Sequence, residues 1–277
     1  MYIQSEFTFN DSKEIEIAYI GQYGRKGEKR APRIKPTPEQ VKKNNQRVRA
    51  KNMRRLIKAN FKEGDLWTTL KYPAGERKEI ENVQADLSKF LRQLRSKYKK
   101  QNEALKFIYR MELGMKGGIH IHLLVNRIPD ADIIIQKLWK HGRVNWTSTY
   151  EAGGFKELAE YIVKEPEELE GQLSLFDEPD RGKLIRYSSS RNLVRPKPVR
   201  KIYSRRTVRK ILEEGPKPAP GYYIDKNSIV TGTNSFTGYS YIHYTEIRIK
   251  PKGGANSEGK HLHRNNVAGT AAYAGDV

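Results

Sequence analysis

Two histidines, His120 and His122, stand two residues apart inside the apolar run "GIHIHLLVN", and Glu112 lies eight residues before the first of them in "KFIYRMEL". On a β-strand, a spacing of two puts both imidazoles on one face with Leu124, and turns Ile119, Ile121, Leu123 and Val125 to the other. If the two stretches form a hairpin turning near Lys116, Glu112 falls opposite His120 and diagonal to His122. Such neighbours are about 5 Å and about 7–8 Å apart. A carboxylate and two imidazoles can then converge on one divalent cation and leave coordination positions open, which suits Lewis-acid work on a phosphate. A lone His-x-His can equally face solvent; the matching Glu112 is what favours a ligand set. His261 and His263 share the spacing but sit in a polar, Gly-rich tail with no strand to orient them. His141 and His243 are single residues in ordinary surroundings.

A second constellation lies on "GGFKELAEYIVKE", where Phe155, Leu158 and Ile162 form the apolar stripe of a helix. Tyr161 sits beside that stripe and Lys164 follows at i+3 on the same side. A phenol beside an ammonium can accept a phosphoryl group, because the cation lowers the cost of the charge that builds up. The same pair also reads as a tyrosine at a helix rim with a solvated lysine. Tyr150, just before the helix, is the rival nucleophile.

These residues need elements to position them. "PTPEQVKKNNQRVRAKNMRRLIKANF" (Pro36–Phe61) predicts a helix, capped by Thr37 with Gln40 three residues on. Its basic side carries Lys42, Lys43, Arg47, Arg49, Lys51, Arg54 and Arg55. From Asp65 the patterns give strand (Asp65–Pro73), amphipathic helix, strand (Lys106–Leu113), strand, helix, strand (Gly142–Thr149) and helix. This order predicts an α+β fold, with a central antiparallel sheet and helices packed on one face, and a basic C-terminal extension. The expected divisions are an N-terminal extension over 1–35, a core domain over 36–205 with an acidic loop at 165–180, a β-rich extension over 206–250 and a disordered tail over 251–277.

Composition narrows the partners. Among 277 residues, 53 Lys and Arg oppose 32 Asp and Glu, a net charge of +21 with a pI near 9.9, so the default partner is a polyanion. No stretch approaches the length of a bilayer span, and the N-terminus lacks the pattern of a secretion signal. Cysteine is absent, which removes disulfides and thiolate chemistry and fits a reducing interior.

Taken together, the motifs resemble those of the HUH endonuclease superfamily, specifically the rolling-circle replication initiators (Rep) of bacterial plasmids, phages or integrative elements. "LWTTLKYP" resembles the first motif, "GIHIHLLVN" the His-hydrophobe-His motif with Glu112 at the third-ligand position, and "EYIVK" the Tyr-x-x-Lys motif. The similarity covers about residues 35–205. It implies an HUH/RRM-like fold and the site-specific nicking and joining of single-stranded origin DNA through a 5′-phosphotyrosine. Tyr161 and Lys164 would be catalytic, and Glu112, His120 and His122 would hold Mg²⁺ or Mn²⁺. In the basic stretch that follows, Arg191, Lys197, Arg200 and Lys201 are expected to contact DNA. Only one tyrosine occupies the motif helix, against a two-tyrosine mechanism. "GANSEGKH" imitates a phosphate loop but lacks its closing Ser or Thr and follows no strand, so unwinding is expected from a host helicase. "QLSLF" resembles the peptide that docks on the bacterial polymerase sliding clamp, with Gln172, Leu173, Leu175 and Phe176 as anchors. The expected location is the bacterial cytoplasm. The alternatives are the same chemistry used in mobilisation or transposition, and a non-catalytic basic nucleic-acid-binding protein.

Overall fold

The computed structural model describes residues 1–20, 36–114, 118–149, 155–164, 187–234 and 238–249. In chain order the elements are β1 (Tyr2–Thr8), β2 (Ser12–Tyr19), α1 (Pro38–Asn60), β3 (Leu66–Lys71), α2 (Ile80–Lys100), β4 (Phe107–Leu113), β5 (Ile119–Val125), α3 (Ala131–Leu138), β6 (Val144–Ser148), α4 (Lys156–Val163), β7 (Tyr187–Ser189), β8 (Val199–Tyr203), α5 (Arg205–Glu214), β9 (Tyr222–Thr233) and β10 (Ser240–Arg248). The strands form two antiparallel sheets of five. The fold is therefore α+β, as the element order predicts. The acidic loop at 165–180 and the tail from 251 lie outside the described residues.

The central sheet has the order β6-β3-β5-β4-β7. Because β5 runs antiparallel to both β3 and β4, those two strands are parallel with β5 between them. The β3-α2-β4 passage is thus a crossover, and β5-α3-β6 is a second one spanning β3. Both crossover helices cover the face carrying Ile119, Ile121, Leu123 and Val125. The α2 stripe of Val83, Leu87, Phe90, Leu91, Leu94 and Tyr98 buries there, joined by Ile135 of α3.

The expectation of helices on one face only is corrected by the other side of this sheet. Ile108 and Leu124 form an apolar patch there, covered by Met53, Leu56, Ile57 and Phe61 at the end of α1 and by Ala159, Ile162 and Val163 of α4. The reason lies along β5 itself. Its second face reads His120, His122, Leu124, polar at one end and apolar at the other, so helices can bury one end and leave the imidazoles at the margin.

The terminal sheet has the order β8-β1-β2-β10-β9 and joins the first strands of the chain to its last. Its core is Tyr2, Ile15, Ile17, Ile242 and Tyr244, closed by Val208 of α5. Helix α1 lies between the two sheets. Its N-terminus carries the anticipated capping box, with Thr37 and Gln40 each accepting the other's backbone N–H. Its last turns present apolar side chains to the central sheet and cations to the terminal one. Arg55 donates to Glu14 at 2.9 Å and to Glu16 at 2.5 Å, Lys58 reaches Glu14 at 3.2 Å, and Arg54 pairs with Glu14 at 3.1 Å. The Arg55 guanidinium also lies 3.6 Å over the Phe7 ring. Alternation along β2 hid this: Glu14 and Glu16 read as the solvent side of a strand, yet Glu14 is only 4% exposed.

Candidate active site

The site is built where β3, β5 and β4 lie side by side. The register places Glu112 opposite His120 and Arg110 opposite His122 on one side of β5, and Lys71 and Thr69 opposite the same two histidines on the other. The hairpin inferred from parity is therefore present. Gly114 closes in beneath His120, where an added Cβ would come to 3.0 Å from the imidazole Cε1.

Tyr161 arrives from the opposite side. Helix α4 is anchored by Ala159, Ile162 and Val163, and begins at Phe155, a buried residue in the left-handed region with φ 59°. Leu158, expected on the core stripe, packs at its edge. The C-terminal end of α4 is held by the buried guanidinium of Arg110, which donates to the Ile162 carbonyl at 2.9 Å and to the Lys164 carbonyl at 2.6 Å. A cation there satisfies carbonyls that have no partner within the helix. The Tyr161 hydroxyl then donates to Glu112 Oε2 at 2.5 Å and lies 2.9 Å from His122 Nε2, while those two groups are 3.3 Å from each other. Trp67 stacks on His122 at 5.6 Å and meets the Tyr161 ring edge-on at 6.0 Å.

Thr69 Oγ1 stands 3.2 Å from His122 Nδ1. A hydroxyl can donate or accept, so it satisfies either tautomer of His122 and fixes the ring plane in both. With Nδ1–H donating to Thr69, Nε2 keeps a lone pair for a cation or a proton.

Glu112 is drawn down to about 2, chiefly by its hydrogen bond with His122, against burial, with help from Tyr161 and Arg110. His120 is lowered by burial and by the charges of Lys71 and His122. Tyr161 is pushed up by burial and by the Glu112 carboxylate, so the resting phenol keeps its proton. An ionised carboxylate and a neutral imidazole are the forms that bind a divalent metal, and the donor set of Glu112, His120 and His122 fits such an ion chemically. Among the described residues, no three His, Cys, Asp or Glu side chains already stand as a metal-holding group. Glu112 and His122 instead share the Tyr161 hydroxyl, and the His120 and His122 ring centres are 6.4 Å apart.

The other candidates are placed as follows. Lys164 is the exposed C-cap of α4, with its backbone N–H bonded to the Tyr161 carbonyl at 3.2 Å. Arg191 is exposed and lines a cleft of about 930 Å³ with Arg95 and Lys99, beside Phe107. That is the opposite end of β4 from Glu112, roughly 17 Å away at the rise of a strand. Lys197, Arg200 and Lys201 are exposed near or on β8, the edge of the terminal sheet. The structure does not gather these four around Tyr161. Tyr150, Gln172, Leu173, Leu175 and Phe176 lie outside the described residues.

Sequence reasoning missed Thr69, Trp67 and Arg110 as parts of the site. A signal existed for each. Trp67 and Thr69 share strand parity in "LWTTLKYP", and Arg110 stands two residues before Glu112, an isolated cation in an apolar strand.

An antiparallel sheet that aims two imidazoles and a carboxylate at the phenol of a packed helix is a site for metal-assisted phosphoryl transfer, and its arrangement is consistent with the HUH superfamily. Residues 65–166 match the family described as Replication-associated protein ORF2, which supports a Rep-type rolling-circle replication initiator. The matched segment runs from β3 to just past α4 and so contains every residue of the cluster. No curated protein and no solved structure matches the chain. Among the described residues, no helix is long and apolar enough to cross a membrane.

Proposed function

We propose that this chain nicks and rejoins single-stranded DNA at a specific site through Tyr161, and so starts rolling-circle replication of a mobile element. The observation that carries the reading is the Tyr161 hydroxyl held between Glu112 Oε2 and His122 Nε2, on a helix locked by Arg110. Tyr161 Oη attacks the scissile phosphorus. Its proton leaves along a hydrogen bond it already makes, to His122 Nε2 in the tautomer whose Nδ1–H donates to Thr69. The bond from phosphorus to the 3′ oxygen breaks, giving a 5′-phosphotyrosine and, after proton return, a free 3′-hydroxyl. One phosphodiester replaces another, so the reverse reaction rejoins the strand without a nucleotide cofactor. Lys164, one turn beyond the nucleophile, steadies charge on the phosphate.

Glu112, His120 and His122 would hold Mg²⁺ or Mn²⁺, which when bound polarises the phosphate as a Lewis acid. Within the chain, Thr69 and Trp67 keep the His122 ring in its plane, and Arg110 fixes the height of Tyr161 above it.

The test uses labelled single-stranded oligonucleotides tiled across the DNA that encodes the chain, with magnesium or manganese. A covalent adduct should survive denaturation, disappear with a chelator, and yield by mass spectrometry a peptide modified at Tyr161. Binding with no adduct at any tile would make the chain a non-catalytic nucleic-acid-binding protein. Modification at Tyr150 would move the nucleophile. The docking of Gln172, Leu173, Leu175 and Phe176 on a sliding clamp is a separate proposal resting on sequence. Clamp capture should be lost in Leu175→Ala/Phe176→Ala, and equal capture would end it.

A further inference from the structure

Helix α1 is 23 residues long, about 35 Å at the usual rise, but only its second half is anchored. Lys51, Arg54, Arg55 and Lys58 reach the carboxylates of β2, while Met53, Leu56 and Ile57 bury against the central sheet and α4. At 100° per residue these two sets occupy two sides of the helix. Asn45, Val48, Arg49 and Asn52 follow i, i+3, i+4, i+7 spacing and share a third side that faces neither sheet. All four are exposed, and from Pro38 to Arg49 every residue but the half-buried Gln46 is exposed as well. Val41 and Val48 are each 41% exposed.

A helical half with no buried stripe has no packing reason to be helical. Its composition gives a different reason. Between Pro38 and Asn52 five cations (Lys42, Lys43, Arg47, Arg49 and Lys51) face one acid, Glu39. The third side offers the side chains that read base edges: an amide pairs with adenine, a guanidinium with guanine, and an apolar group touches the thymine methyl. An α-helix fits the major groove of a duplex and reads it with three or four side chains at this spacing.

The geometry points to the Asn45, Val48, Arg49 and Asn52 face of α1 as a reader of double-stranded DNA in the major groove, with Lys42, Lys43 and Arg47 on the phosphates. This deepens the nickase reading, on which its purpose rests: the duplex beside the nick site would be chosen by α1, and the single strand would be cut by Tyr161.

The experiment uses the full chain and a pool of duplexes with a randomised central block, at one fixed salt concentration because phosphate binding is salt-dependent. The chain should enrich one motif. Asn45→Ala/Arg49→Ala should lower affinity for the enriched duplex by about 10-fold or more and leave binding to a scrambled duplex unchanged. Lys43→Ala should weaken both duplexes alike and reduce the salt slope by about 1. The proposal is overturned if no motif is enriched, if the double variant retains it, or if that variant alters self-association while duplex binding persists. A second measurement avoids variants of uncertain folding. The chain has no cysteine, so Asn45→Cys gives one attachment point for an iron chelator, whose cleavage should fall on the major-groove side of the motif; cleavage elsewhere also overturns it. Tyr161→Phe should keep the duplex motif. A motif without any covalent adduct would remove the nickase reading and leave this one standing.

Discussion

Glu14 and Glu112 stand on different sheets, and both are held below the ordinary carboxylate range. Around Glu14, burial works to raise the pKa, and the charges of Lys58, Arg54 and Arg55 outweigh it. Those partners are permanent cations on one helix, and Glu14 is 4% exposed. Glu112 is more open and is held mainly by an imidazole and a phenol, groups that can give up a proton or exchange it for a cation. The first cluster fastens α1 to the terminal sheet. The second cluster has partners that chemistry can displace, which is the mark of a site. A depressed carboxylate is thus uninformative until the nature of its partners is known.

That contrast can be broken in several ways. Tyr161→Phe should abolish the covalent adduct on single-stranded DNA while leaving the urea midpoint nearly unchanged; an undiminished adduct would place the nucleophile elsewhere. Glu14→Gln should do the reverse. Breaking a buried ion cluster costs about 3–5 kcal/mol, so denaturant unfolding should show a large loss, and the protein that stays folded should still form adduct.

Thr69→Val, which removes the hydroxyl from His122 Nδ1, should reduce adduct formation by about 10- to 100-fold. Thr69→Ser should restore most of it. Rescue separates orientation of the ring from simple packing, and equal rates in all three proteins would remove Thr69 from the site.

The smallest effect is a pH dependence of stability. Glu14 and Glu16 have folded pKa values below the ordinary 4.5, so their contribution is present above that value and is lost as pH falls through the folded values. Stability measured in urea should decline as the solution is acidified below about 4.5, and Glu14→Gln should flatten that decline. An unchanged slope would mean that the cluster does not govern acid unfolding.

Much of the central sheet was legible because its signals are local. The capping box at Thr37 and Gln40, the parity of β5 and the position of Glu112 opposite His120 all follow from spacings within a few residues or across one hairpin. The strand and helix order from Asp65 to Lys164 follows from periodicity alone. The terminal sheet was not legible as a unit. Pairing β1 and β2 with β8 and β10 joins residues about two hundred positions apart, and no local pattern specifies such a partner.

What the amino-acid order determined by itself is which side chains share a face: His120 with His122, Tyr161 with Lys164, and a cationic stripe along α1. Only the tertiary structure decided which face meets which. It turned the stripe of α1 onto Glu14 and Glu16, and it set Arg110 under the end of α4 so that the Tyr161 hydroxyl reaches Glu112 and His122. The physical reason is that a face is fixed by the geometry of one element, whereas a contact depends on burial and charge compensation between elements that are distant in the chain.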